Sequence, residues 1–284
     1  MEPRDAPPPP AEAGLDAGRY ADLDAPALRA LLAERDRALA DLAAAQEEFL
    51  RAVSHDLRAP LRHITSYSPL VRELVEDSAQ GLTGEPRSEA AHFLDTMDHA
   101  ARRMGQMLDG LLGLSRVGRA PLQPAAVDLA RMVQEAQSPL APLAAGRPVE
   151  WVVDTQGLAL QADPVLLRQL LVELLGNALK FTARRGAAAG PARIAVTARA
   201  AADGQVDWQV QDNGTGFDPA RAVSLFGVFQ RLHRESEFDG VGAGLATARA
   251  IAQRHGASIA ITAVPGVGCT VSLRWPGGTP GAAG

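Results

Sequence analysis

The stretch Phe49–Ile64, FLRAVSHDLRAPLRHI, decides the fold. Its apolar residues Phe49, Val53, Leu57, Leu61 and Ile64 recur by threes and fours, the repeat of a helix with one buried stripe. The stripe runs back through Leu42, Leu39, Leu32 and Leu28, with Arg35 and Gln46 as polar interruptions, and forward through Val71 and Val75. That pattern predicts a coiled-coil seam. Consecutive steps of four at Val53, Leu57 and Leu61 break the heptad and predict a local change of supercoil, and Pro60, inside the break, predicts a kink. At about 100° per residue, His55 is turned about 200° from both Val53 and Leu57, so its imidazole faces away from the seam.

Beyond this helix, DSAQGLTGEPRSE (77–89) reads as a loop. A second stripe follows at Leu94, Met97, Ala101, Met104, Leu108 and Leu111. Two long helices joined by a short loop make an antiparallel hairpin. One hairpin with a narrow seam cannot cover its own apolar face, so two copies are expected to pair as a homodimer in a four-helix bundle. A helical spacer without chemistry accounts equally well for the stripes alone.

The 284 residues, 46% apolar and 21% charged, suffice for two modest domains. Net charge is −5 and no long Lys/Arg run is present, which argues against a nucleic-acid partner. Cys269 is the only thiol, so no internal disulfide forms, and a reducing cytoplasmic setting is expected. No apolar run approaches the roughly 20 residues of a membrane span, and no membrane insertion is expected. The expected organisation is a disordered Pro-rich arm over 1–20, the coiled coil and hairpin over 21–117, a linker over 118–126, an α/β domain over 127–276 and a disordered tail over 277–284. In that domain, helices are predicted at Leu129–Leu143, Pro164–Phe181 and Gly244–His255. Strands are predicted at Val149–Val153, Arg193–Thr197, Val206–Gln211, Ser258–Ala263 and Thr270–Trp275.

An outward-facing histidine is by itself ordinary surface. A neutral imidazole nevertheless has a free lone pair at cellular pH, and an adjoining carboxylate such as Asp56 can bond the other ring N–H, fix the tautomer and take up the proton. Asp56 as a plain solvated helix charge is the alternative. His63, His92, His99, His233 and His255 lack this setting and read as surface or packing residues. In the α/β part, Glu173, Asn177 and Lys180 fall at i, i+4 and i+7 on one helix face, beside an apolar stripe of Leu167, Leu171, Leu174, Ala178 and Phe181. In VDWQVQD, Asp212 falls on the apolar side with Val206, Trp208 and Val210, where a carboxylate needs a partner. Gly240-Val-Gly242-Ala-Gly244 opens into a helix, whose N-terminal N–H groups and dipole suit phosphate; each of these motifs is weak alone.

Taken in order, the His55 segment, NALKF (177–181), DNGTG (212–216), LFGVFQRLH (225–233) and GVGAGLA (240–246) resemble the H, N, G1, F and G2 boxes of sensor histidine kinases. The segment RLHRESEFDGVGAGLATAR is similar to kinase modules attached to phytochromes. The resemblance covers roughly residues 45–276. It implies a Bergerat-type α/β sandwich that binds ATP and Mg2+ behind the helical hairpin, within a two-component system. It also implies that His55 receives the γ-phosphate with Asp56 as base, and that an aspartate on a response regulator receiver domain takes the phosphoryl group next. Asn177 would hold Mg2+, Lys180 would approach phosphate and Asp212 would read the adenine amino group. Gly214 and Gly216 would shape the adenine pocket, Gly240, Gly242 and Gly244 would form the phosphate-facing hinge, and Phe229 and Arg231 match the F box.

Three positions depart from the family pattern. Ala59 stands four residues after His55, where Thr or Asn is linked to dephosphorylating the partner. Glu173 replaces an Asn; it either joins the metal site or activates water, as in related ATPases. Val241 replaces a small hydroxyl residue. A degenerate kinase acting as a nucleotide-sensing scaffold and a simple ATPase are the rival readings. No sensor domain is visible: either the signal reaches the coiled coil from a separate protein, or the chain is a fragment, or an orphan transmitter is involved.

Overall fold

The chain is described by a computed structural model over residues 24–76, 84–119, 121–183, 190–230 and 240–280. The expected arm over 1–20, Arg231, His233 and the end of the tail lie outside the described residues. Contacts divide the chain into two compact units after Arg51. In the first, Asp24 accepts the Ala27 N–H at 2.9 Å and so caps the start of α1, Ala25–Glu76. Leu28, Leu32 and Phe49 of this part are exposed.

In the second unit, the remainder of α1 packs on α2, Gly84–Arg119, with the Tyr67 and Phe93 rings stacked 5.0 Å apart. Helix α2 begins inside the predicted loop: Pro86 sits in its first turn, where no backbone N–H is needed, and the Ser88 hydroxyl donates to the Glu85 carbonyl. The inward line of α1 is also not the expected one. It runs Val53, Leu57, Pro60, Ile64, Tyr67, Val71, Leu74, an unbroken alternation of fours and threes, while Leu61 and Val75 are exposed. Pro60 is therefore a buried seam residue inside an uninterrupted helix, and no heptad break is present. On α2 the inward line is Phe93, Met97, Ala100, Met104, Met107, Leu111. Leu94, Ala101 and Leu108, one residue or about 100° around, are exposed.

Helix α2 extends to Arg119, and the predicted linker is largely structured, because Ala125–Asp128 (β1) pairs with Leu158–Ala162 (β3), a strand too short to be read from periodicity. Gly278–Pro280 (β8) pairs with the other edge of β3, so part of the expected tail is strand. The predicted helix Leu129–Leu143 divides into α3, Leu129–Gln137, a 3-10 turn over Ser138–Leu140 and α4, Ala141–Ala144; Pro139 and Pro142 each open a new turn. The main sheet has the order β2-β4-β5-β7-β6, from Val149–Asp154, Ala192–Ala200, Val206–Asp212, Gly268–Trp275 and Ser258–Val264. Among the described strands of this sheet, β2 and β4 pair in parallel and the other neighbours pair antiparallel. Helices α3, α5 (Pro164–Thr182) and α6 (Gly244–Arg254) bury Leu129, Leu167, Leu171, Leu175, Leu179 and Ile251 in one core with Ile194, Trp208, Val271 and Trp275 of the sheet. Among the described residues, no helix is long and apolar enough to cross a membrane.

Asp163 ties these layers together. Its Oδ1 accepts the Val165 and Leu166 N–H groups and so caps α5, and its Oδ2 accepts the Gln123 N–H at 3.1 Å. Its own N–H donates to His255 Nε2 at 3.0 Å, while His255 Nδ1 donates to the Ile251 carbonyl. Burial raises the Asp163 carboxyl, but the three N–H donors and the field of His255 together bring it below its ordinary value. A depressed carboxylate stabilises the fold above its unfolded value and loses that contribution as pH falls through the folded one. Asp163→Ala is therefore expected to cost about 1–2 kcal/mol at neutral pH by losing the cap. In urea unfolding, the gap from the native chain should shrink below about pH 4.

Candidate active site

Helix α5 presents Glu173, Asn177 and Lys180 to a cleft of about 870 Å³, with Leu174 and Ala178 beside them in its lining, while Leu167, Leu171 and Leu175 turn into the core. The face expected from the spacing is thus the lining face. The cleft is closed opposite by Asp212 and Gly216 at the end of β5 and by Gly240, Gly242 and Gly244 before α6. Asp212 is buried and its Oδ1 accepts the Gly214 N–H at 2.8 Å, which supplies the partner its inward phase demanded. Gly214 has no room for a side chain: a Cβ would lie 2.8 Å from the Phe181 carbonyl oxygen. Gly216 has φ +59° and a Cβ there would strike the Val264 carbonyl, so the turn under Asp212 is restricted to glycine.

At the other end, a Cβ on Gly244 would lie 2.5 Å from Glu173 Oε2 and 3.8 Å from Asn177 Nδ2, so the glycine loop passes directly over these side chains. A Cβ on Gly240 would lie 3.5 Å from Lys180 Nζ, which also sits 5.1 Å from the Phe181 ring centre. Ala243 gives α6 no side-chain cap, leaving the first N–H groups of the helix for a ligand anion. Burial raises the Glu173 carboxyl above its usual value. Phe229 has φ +62°, uncommon for a side chain of its size, and its N–H donates to the Gly242 carbonyl at 3.0 Å; its buried ring stands beside the cleft rather than in its lining.

His55 and Asp56 lie outside the cleft, on α1. His55 is 81% exposed and its Nδ1 is 3.0 Å from Asp56 Oδ1. An ionised carboxylate can only accept, so Nδ1 carries the hydrogen and Nε2 keeps the lone pair toward solvent. His92 is exposed, with its ring tilted 6.3 Å from that of Phe93, and His255 is occupied by Asp163 and Trp275, in keeping with surface and packing roles. Among the described residues, no three His, Cys, Asp or Glu side chains cluster as a metal cage.

Two parts of the cleft escaped the sequence reading. Cys269, paired across strands with Asp212, lines the floor; burial and the Asp212 charge push its thiol up to about 12. Gln106, Asp109, Gly110 and Gly113 of α2 form one wall. The signal for the second was present in glycines placed inside a helix, where they weaken it unless another chain segment approaches closely.

Residues 45–120 match the family described as the His Kinase A (phospho-acceptor) domain, and residues 162–279 match the Histidine kinase-, DNA gyrase B-, and HSP90-like ATPase family. The histidine protein kinase DivJ of Caulobacter vibrioides is 30% identical over 240 residues, covering 83% of this chain and 38% of that protein. The phytochrome-like protein Cph1 of Synechocystis sp. is 28% identical over 241 residues, covering 85% and 30%. The chain thus spans less than half the length of these relatives. The crystal structure of full-length ShkA in complex with AMPPNP superposes with a TM-score of 0.52 at 28% identity, covering 83% of this chain and 47% of that one. With a phospho-acceptor hairpin followed by an ATPase sandwich, in that order, the chain belongs to the sensor histidine kinases.

Proposed function

We propose that this chain is an ATP-dependent protein histidine kinase that phosphorylates its own His55 and passes the phosphoryl group to an aspartate of a response regulator receiver domain. The observation that carries the reading is the His55–Asp56 pair: a solvent-facing Nε2 whose tautomer is held by a neighbouring carboxylate. Asp212 and the glycine turn at Gly214 and Gly216 accept adenine. Lys180 and the uncapped N-terminus of α6, reached through Gly240, Gly242 and Gly244, hold the phosphates. Phe229 supports the glycine loop through the Gly242 carbonyl, and Arg231 stabilises charge on the transferred group.

An amide oxygen and one carboxylate beside a phosphate cradle are the donor set that Mg2+ takes when substrate phosphates complete its shell, so Asn177 and Glu173 fit it. The ion supplies charge neutralisation at the phosphates. In the transfer, His55 Nε2 bonds to the γ-phosphorus, the bond from that phosphorus to the bridging oxygen of ADP breaks, and the Nδ1 proton passes to Asp56. Positioning and charge complementarity carry the catalysis.

An exposed apolar line on α2, Leu94, Ala101, Leu108 and Leu112, beside the line closed inside the hairpin, together with exposed Leu61 and Val75 on α1, supports a homodimer joined as a four-helix bundle. A cytoplasmic location completes the reading. The raised Glu173 carboxyl favours a second activity at the same cleft, slow ATP hydrolysis.

Incubation with γ-labelled ATP is expected to give acid-labile, alkali-stable label that vanishes in His55→Gln; label persisting in that variant refutes the assignment. Asp212→Asn should weaken ATP binding by about 2 kcal/mol or more, because a buried acceptor is replaced by a mixed donor and acceptor; titration calorimetry reads this directly. If Glu173 activates water, phosphate release without a regulator survives His55→Gln and falls in Glu173→Gln. If it serves the metal instead, Glu173→Gln lowers His55 labelling and raises the Mg2+ requirement.

A further inference from the structure

The nucleotide cleft is not closed by the ATPase domain alone. Gln106, Asp109, Gly110 and Gly113 lie on one face of α2 and form a wall of it. At the centre of that face the approach is close: a Cβ on Gly110 would stand 2.8 Å from the Ala243 Cβ and 4.0 Å from the Phe229 ring. Ala243 belongs to the glycine loop, and Phe229 is bonded to the same loop at Gly242. Further along, Val117 is buried in the ATPase core and its carbonyl accepts from the Arg254 guanidinium at the end of α6. Helix α2 is thus anchored at the far end of α6 and touches the loop at its near end.

The height of this contact matters. Tyr67 stacks on Phe93, and His55 and Gly105 are each twelve residues from that pair, toward the same end of an antiparallel hairpin. His55 is therefore level with Gly105, and the cleft wall begins one residue farther on, at Gln106. Gly105 itself has nothing within 4 Å of a built Cβ. Two glycines of one helix, five residues apart, thus differ in whether they face the loop.

We propose that Gly110 is a positioning residue for the phosphotransfer: the bare backbone there seats Ala243 of the glycine loop on α2, and this seat sets the phosphate end of the cleft at the height of His55. The proposal rests on the kinase reading above. A methyl group at Gly110 meets the Ala243 methyl, which is fixed to the loop backbone and cannot swing aside, so the loop or the domain must shift. Displacement on the ångström scale at the reacting end costs rate more than binding.

The test compares Gly110→Ala with Gly105→Ala in the full chain. Both replace a helical glycine by alanine and gain the same helix propensity, so Gly105→Ala controls for that gain and a difference between the two reports the contact. Labelling of His55 at saturating ATP is expected to fall on the order of tenfold or more in Gly110→Ala. The ATP concentration for half-maximal rate should move less than about threefold. Gly105→Ala should label at the native rate, and adding Ala243→Gly to Gly110→Ala should recover most of the loss. Amide exchange over 106–113 and 240–244 should quicken in Gly110→Ala alone. Equal rates in the two alanine variants, a faster Gly110→Ala, or a loss that Ala243→Gly does not relieve would overturn the seat. A native chain that takes no label, or label surviving His55→Gln, refutes the kinase reading instead and is distinguished from these outcomes.

Discussion

The cleft depends on where α5 starts, and one carboxylate fixes that start. Asp163 accepts the first N–H groups of α5 and the N–H of Gln123, while its own N–H is held by His255 at the end of α6. The helix bearing Glu173, Asn177 and Lys180, the helix opening at Gly244 and the segment leading into β1 are thereby joined at a single residue. Because Glu173 and Asn177 lie under Gly244 and Lys180 lies under Gly240, a slip of one helix along its axis would separate groups that line the same cleft. At the opposite end, Arg147 donates to the Leu179 carbonyl and the Thr182 hydroxyl, so α5 is held at both termini.

The helical hairpin solves a different problem. Helix α2 offers apolar residues on two adjacent lines about 100° apart, and the hairpin closes only one of them, while α1 leaves Leu61 and Val75 outside its closed line. Pro60 belongs to the closed line. Its ring fills a seam position while its missing N–H forgoes one helical bond, five residues after His55. The seam and the solvent face are therefore both occupied near His55: adjoining turns carry a buried proline inward and an exposed imidazole outward.

Much of this was legible from residue order and phase. The outward direction of His55, the inward direction of Asp212 and the shared face of Glu173, Asn177 and Lys180 all follow from helical and strand periods. What escaped did so for physical reasons. Leu61 looked like the seam residue because it is the stronger hydrophobe, yet Pro60 lies in phase with Leu57 and Ile64. Strands β1, β3 and β8 are too short for alternation to register, and their pairing is set by partners distant in the chain. The break after Gln137 was written in Pro139 and Pro142, which the apolar period of α3 concealed. The α2 wall is invisible to periodicity, because a glycine that admits a neighbour reads as a glycine that weakens a helix.

Exposure and burial divide the chemistry between the two parts of the molecule. On the proposed reading, a nucleophile that meets both a nucleotide and a receiver domain has to remain in water, and His55 is exposed beside Asp56. An exposed imidazole gains little from desolvation, so selectivity and rate must come from what is brought to it. The groups that do the selecting are buried instead: Asp212 beneath its glycine turn, and Glu173 under Gly244. A rigid, desolvated cleft and a solvated acceptor cannot be built into one surface. On the proposed kinase reading, placing them in separate layers gives the contact between those layers, at Gly110 and Ala243, a bearing on the reaction geometry.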